Sequence, residues 1–91
     1  MMKRYFVIVY GRVQGVGFRF FCQSHAKLMD ITGYAKNLDD GSVELQIQGK
    51  ENSLLKFLNI IKKGNRFIRV EDMSVDEIDV IDEYNFKSLG Y

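Results

Sequence analysis

The sequence predicts one small α+β domain, a single sheet with two helices packed on one face. Three observations predict it. The chain has 91 residues, 46% of them hydrophobic and none of them proline, which is enough for one core and no more. Two segments repeat apolar residues at three- and four-residue steps, whereas four others alternate or run apolar and β-branched. Their order is β-α-β-β-α-β, so each helix crosses between strands of the same sheet.

Residues 3–10 read as the first strand, rich in Val, Ile, Phe and Tyr and bounded by Gly11. Residues 19–30 read as a helix, because Phe18, Phe21, Cys22, His25, Ala26 and Met29 make one stripe. Asp30 sits poorly at its end, where an acid opposes the helix dipole. Residues 31–37 and 42–49 form a hairpin. Val43, Leu45 and Ile47 alternate with Ser42, Glu44, Gln46 and Gln48, and Leu38-Asp39-Asp40-Gly41 supplies the turn. Residues 51–63 give a second amphipathic helix through Leu54, Phe57, Leu58 and Ile61, with Lys62 and Lys63 in its last turn and Gly64 behind them. Residues 67–80 read as extended, with an irregularity near Glu71-Asp72, and Phe86 to Leu89 allow a short fifth strand. Two helices on one face of an antiparallel sheet in this order make the ferredoxin-like two-layer sandwich, a fold that names no function by itself.

Function is concentrated in Gly11-Arg12-Val13-Gln14-Gly15-Val16-Gly17-Phe18-Arg19. The glycines let successive N–H groups curl into one concavity, and the following helix N-terminus adds unpaired N–H groups and a positive dipole end. Arg19 contributes a planar, permanently charged fork that matches two phosphate oxygens. Together these features read as a phosphate cradle. Other glycine motifs are excluded: Phe20 stands where a dinucleotide fingerprint needs glycine, and Val16-Gly17 occupies the register where a P-loop needs Gly-Lys-Ser/Thr. In the ferredoxin-like strand order the loop after the first strand approaches the end of the second. That brings Asn37 near the cradle, where a neutral amide can orient a water without repelling an anion.

The loop from Gly11 to Arg19, together with Gly33-Tyr34-Ala35-Lys36-Asn37 and Asp40-Gly41-Ser42-Val43-Glu44, closely resembles the acylphosphatase family, and the resemblance runs along almost the whole chain. It implies hydrolysis of carboxyl-phosphate anhydrides to a carboxylate and inorganic phosphate, with no metal, cofactor or covalent intermediate. It also implies that Gln14, Gly15, Val16, Gly17, Phe18 and Arg19 bind the phosphoryl group and that Asn37 positions the attacking water. Two positions depart from the family pattern: Asp30 replaces a usual glycine, and Gly64-Asn65-Arg66 lacks a usual proline. The alternative is a non-catalytic phosphate-binding module on the same fold.

Composition narrows the partners. Net charge is +1, but residues 1–37 carry six Lys/Arg against Asp30 alone, and residues 71–83 carry seven acids and no base. A positive field beside the cradle steers an anionic substrate, either a small acyl phosphate or one on a protein. A nucleic-acid reader on this fold would show aromatics on the wet face of its central strands; the third strand offers Glu44, Gln46 and Gln48 instead. Cys22 is the sole cysteine, no signal-peptide pattern opens the chain, and no apolar run reaches membrane length. The expectation is a single domain over 1–91, cytoplasmic, monomeric, with His25 and Cys22 as helix packing residues.

Overall fold

The computed structural model describes residues 1–90. Its elements are β1 (Met2–Arg12), α1 (Phe18–Leu28), β2 (Thr32–Asn37), β3 (Val43–Lys50), α2 (Glu51–Lys63), β4 (Arg69–Ile78) and β5 (Phe86–Leu89). The sheet order is β4-β1-β3-β2-β5. Strands β1 and β3 lie inside the sheet, as the ferredoxin-like order requires. The fifth strand forms and pairs parallel to β2 through Gly33–Phe86 to Lys36–Leu89. The sheet is therefore mixed, antiparallel apart from that outer pair.

Alternation decides the faces. Tyr5, Val7 and Val9 on β1, Val43, Leu45 and Ile47 on β3, and Ala35 on β2 form one core with Phe18, Cys22 and Ala26 of α1 and Leu54, Phe57 and Ile61 of α2. These are the stripes the periodicity predicts. Burying such side chains contributes about 1.5–3 kcal/mol each.

The boundaries shifted for local reasons. Strand β1 runs past Gly11 to Arg12, because β4 continues to pair with it there after a bulge: Tyr10 faces Asp72 and Gly11 faces Val70, leaving Glu71 unmatched. Gly11 has φ +130°, and a Cβ on it would lie 2.2 Å from the carbonyl oxygen of Arg69, so this close approach admits only glycine. Helix α1 ends earlier than its stripe, with Asp30 at φ +54°. The N–H of Ile31 reaches the carbonyl of Ala26 at 2.9 Å and that of Asp30 reaches Lys27 at 3.5 Å, which is a Schellman closure with aspartate in the place glycine favours.

Candidate active site

Between β1 and α1 the chain passes through two left-handed glycines, Gly15 at φ +73° and Gly17 at φ +79°. Gly17 is also the N-cap of α1 and brings no side-chain cap. The first helical bond is donated by Phe21 to the Gly17 carbonyl at 2.9 Å. Among the described residues no loop or turn hydrogen bond is donated by the N–H of Gly15, Val16, Gly17 or Phe18. Phe18 is buried at 1% exposure and roots the helix start in the core. Main-chain donors with no loop or turn acceptor thus stand at the positive end of a helix.

The loop borders a depression of about 210 Å³ lined by Val13, Gly15, Gly17, Phe18, Arg19 and Asn37. Arg19 and Asn37, 18 residues apart in sequence, therefore share one site. Arg19 donates through Nη1 to the carbonyl of Leu89, so β5 tethers the guanidinium beside the loop. That tether was not legible in the sequence, where β5 carried no functional signal.

Asn37 ends β2 opposite Val43. Its Oδ1 is buried and accepts no hydrogen bond among the described residues. Buried polar atoms are almost always paired with protein or water, so this orphaned acceptor, in a residue that lines the depression, is an unsatisfied polar group at the site. The turn beyond it is rigid. Leu38 N–H reaches the Ser42 carbonyl at 2.9 Å, Gly41 N–H reaches the Leu38 carbonyl at 3.2 Å, and Ser42 N–H reaches Asp40 Oδ1 at 2.9 Å. The hydrogen bonds from the Ser42 side chain and main chain hold the Asp40 carboxyl below its usual range. Asp39 and Asp40 are turn residues, as the following glycine predicts.

The structure gives the Gln14 side chain a task other than touching the anion. Its Nε2 donates to the carbonyls of Leu38, at 2.7 Å, and Ser42, at 2.8 Å. Gln14 thus clamps the glycine loop to the turn that follows Asn37. His25 packs edge-on against Phe21 at 4.6 Å, about 9 Å along the helix axis from Arg19. Cys22 is fully buried, and burial pushes its thiol far above the ordinary range. Among the described residues no group of three or more His, Cys, Asp or Glu could hold a metal, and no helix is long and apolar enough to cross a membrane.

Known proteins share this fold along nearly the whole chain. The family model described as acylphosphatase matches residues 5–88. An acylphosphatase of Clostridium acetobutylicum is 52% identical over 88 residues, spanning 96% of this chain and 97% of its own. One from Clostridium beijerinckii is 48% identical over 90 residues, with 99% and 100% covered. The crystal structure of acylphosphatase from Bacillus subtilis superposes with a TM-score of 0.91 at 42% identity, covering 99% of this chain and 100% of that one.

Proposed function

This chain belongs to the acylphosphatase family and hydrolyses acyl phosphates, and from that premise we propose how its residues divide the reaction. The N–H groups from Gly15 to Arg19 and the Arg19 guanidinium hold the phosphoryl oxygens, and Asn37 aims the water. The water oxygen forms a bond to phosphorus as the bond from phosphorus to the acyl oxygen breaks. The electron pair leaves with the carboxylate, and the proton of the water passes to a phosphoryl oxygen or to solvent. A carboxylate is a stable leaving group, with a conjugate-acid pKa of about 4, so no side-chain acid has to protonate it. What the protein supplies is position and a fixed array of donors around charge spread over three oxygens.

The observation that carries this reading is that Asn37 lines the same depression as Arg19 and the glycine loop. A module that only bound phosphate is not favoured by the family and structural matches. Metal independence follows from the same division of labour, since the guanidinium and helix terminus supply the positive charge. Inorganic phosphate is released as product. The substrate is an acyl phosphate, small or carried on a protein, and the enzyme works as a cytoplasmic monomer without nucleic acid, membrane or cofactor.

Turnover of benzoyl phosphate with a chelator present tests the metal-free reading, and activity that vanishes with the chelator would refute it. Arg19→Ala is expected to lower turnover by about 100- to 1000-fold or more. Asn37→Ala is expected to lower kcat by a similar factor while inorganic phosphate inhibits it as strongly as the parent. Weaker inhibition with kcat unchanged would remove Asn37 from the water-orienting role.

A further inference from the structure

A second groove, of about 630 Å³, opens where β1 ends and β4 begins, and it shares no lining residue with the catalytic depression. Arg12, Arg66 and Arg69 line it, with Phe67 between two of them. Arg12 and Arg69 are direct cross-strand partners in the β1–β4 register. Such partners place their Cβ atoms about 5 Å apart, and like charges there destabilise the pair. None of the three arginines joins a salt bridge among the described residues. Glu71 is the single acid in the lining.

The frame behind these guanidiniums is fixed. Asn65 Oδ1 accepts from the N–H of Phe67 at 2.8 Å and of Ile68 at 3.0 Å, and Ile68 is buried in the core at 4% exposure. The Arg66 guanidinium lies 5.2 Å from the centroid of the Phe67 ring, which is itself 57% exposed. An aromatic ring with a stacked guanidinium is a platform for a flat heterocycle.

We propose that Arg12, Arg66 and Arg69 form a second anion site that takes a linear polyphosphate, free or carried on a nucleoside. Three forks lining one groove suit contiguous tetrahedral groups, each offering a pair of oxygens. An extended acidic peptide matches less well. Its same-face carboxylates repeat about every 7 Å, wider than the spacing of adjacent phosphoryl groups in a polyphosphate. The catalytic depression, a third the size, suits a single phosphoryl group.

The test titrates the full chain with sodium triphosphate and with ATP in metal-free buffer, with inorganic phosphate in excess to occupy the catalytic site. Amide NMR shifts and calorimetry are the readouts. One saturable ligand is expected, with shifts on Arg12 and residues 65–71 and an affinity that falls steeply with salt. Arg69→Ala should weaken it about tenfold, and Arg12→Ala added to it should weaken it further. The kcat on benzoyl phosphate should stay at the parental value in both variants, which also reports an intact fold. Selective loss of ATP affinity in Phe67→Leu assigns the nucleoside form, and equal loss or none assigns the free chain. Shifts confined to residues 13–19, or parental affinity in the double variant, would overturn the proposal.

Discussion

Gln14 precedes the first left-handed glycine of the loop, and both hydrogens of its side-chain amide reach the β2–β3 turn. If that clamp sets the gap between the main-chain donors and Asn37, then removing the amide while keeping side-chain length should loosen the gap. Gln14→Met is expected to lower kcat on benzoyl phosphate by about 10- to 100-fold, the scale of a 1 Å misplacement, and to reduce stability by about 1–2 kcal/mol. An unchanged kcat would leave the clamp with a purely structural role. That Arg19 and Asn37 line one depression was legible in the sequence, because the strand order brings the loop after β1 to the end of β2. The Gln14 contacts were not, since their partners lie 24 and 28 residues away and become neighbours only when β3 inserts between β1 and β2. Tyr34 shows a different residue-scale effect. Burial and its hydrogen bond to Glu44 push its phenol from 10.0 up to about 12. The folded state thus holds that proton more tightly than the unfolded chain. The stability it lends is complete below pH 10 and lost as pH rises toward 12. Denaturant melts across that window should show a shallower slope in Tyr34→Phe than in the parent.

At the scale of elements, the periodicities placed both helices and four strands, because burial on one face writes a period of 3.6 or 2 into the sequence. Element ends were less legible. The continuation of β1 through Gly11 depends on where β4 bulges, and the pairing of β5 with β2 depends on a partner roughly fifty residues upstream. The end of α1 is the informative case. Its stripe runs to Met29, yet the Schellman closure turns the chain at Asp30, whose φ of +54° strains any residue with a Cβ and whose charge opposes the helix dipole. Asp30→Gly should remove both penalties and stabilise the protein by about 1 kcal/mol. Urea unfolding would show a higher midpoint at an unchanged slope, and a lower midpoint would contradict the account.

Across the whole molecule, the face of the sheet opposite the helices is closed by the segment joining β4 to β5. The Gln48 side chain donates to the Ile81 carbonyl at 2.8 Å and accepts from the Ile81 N–H at 3.0 Å. Arg4, 1% exposed, donates to Gln46 at 2.9 Å, to Gln48 at 3.1 Å, and through two nitrogens to Glu83 at 2.7 and 3.3 Å. Five of the seven acids of 71–83 thus fall into two groups. Glu71, Asp72, Asp76 and Glu77 line the outer strand β4, where charge discourages pairing with a second sheet, while Glu83 neutralises an arginine inside the fold. Neither role could be read from the charge run, because Arg4 and Glu83 lie at opposite ends of the sequence. The same segment leads into β5, whose Leu89 carbonyl tethers Arg19.

A buried guanidinium deprived of its carboxylate is costly, more so than the absence of both charges. Glu83 keeps 19% side-chain exposure, which softens the penalty. Glu83→Ala is therefore expected to destabilise the protein by about 2–3 kcal/mol, lowering Tm by about 10–20 °C for a domain of this size. Arg4→Met in the same chain removes the stranded charge and fills part of its volume, so the double variant should recover about 1–2 kcal/mol of that loss. Thermal melts of the parent, both single variants and the double complete the cycle. Additive losses, or a Glu83→Ala variant as stable as the parent, would mean that the β4–β5 segment closes the sheet through Gln48 and apolar contact rather than through this ion pair.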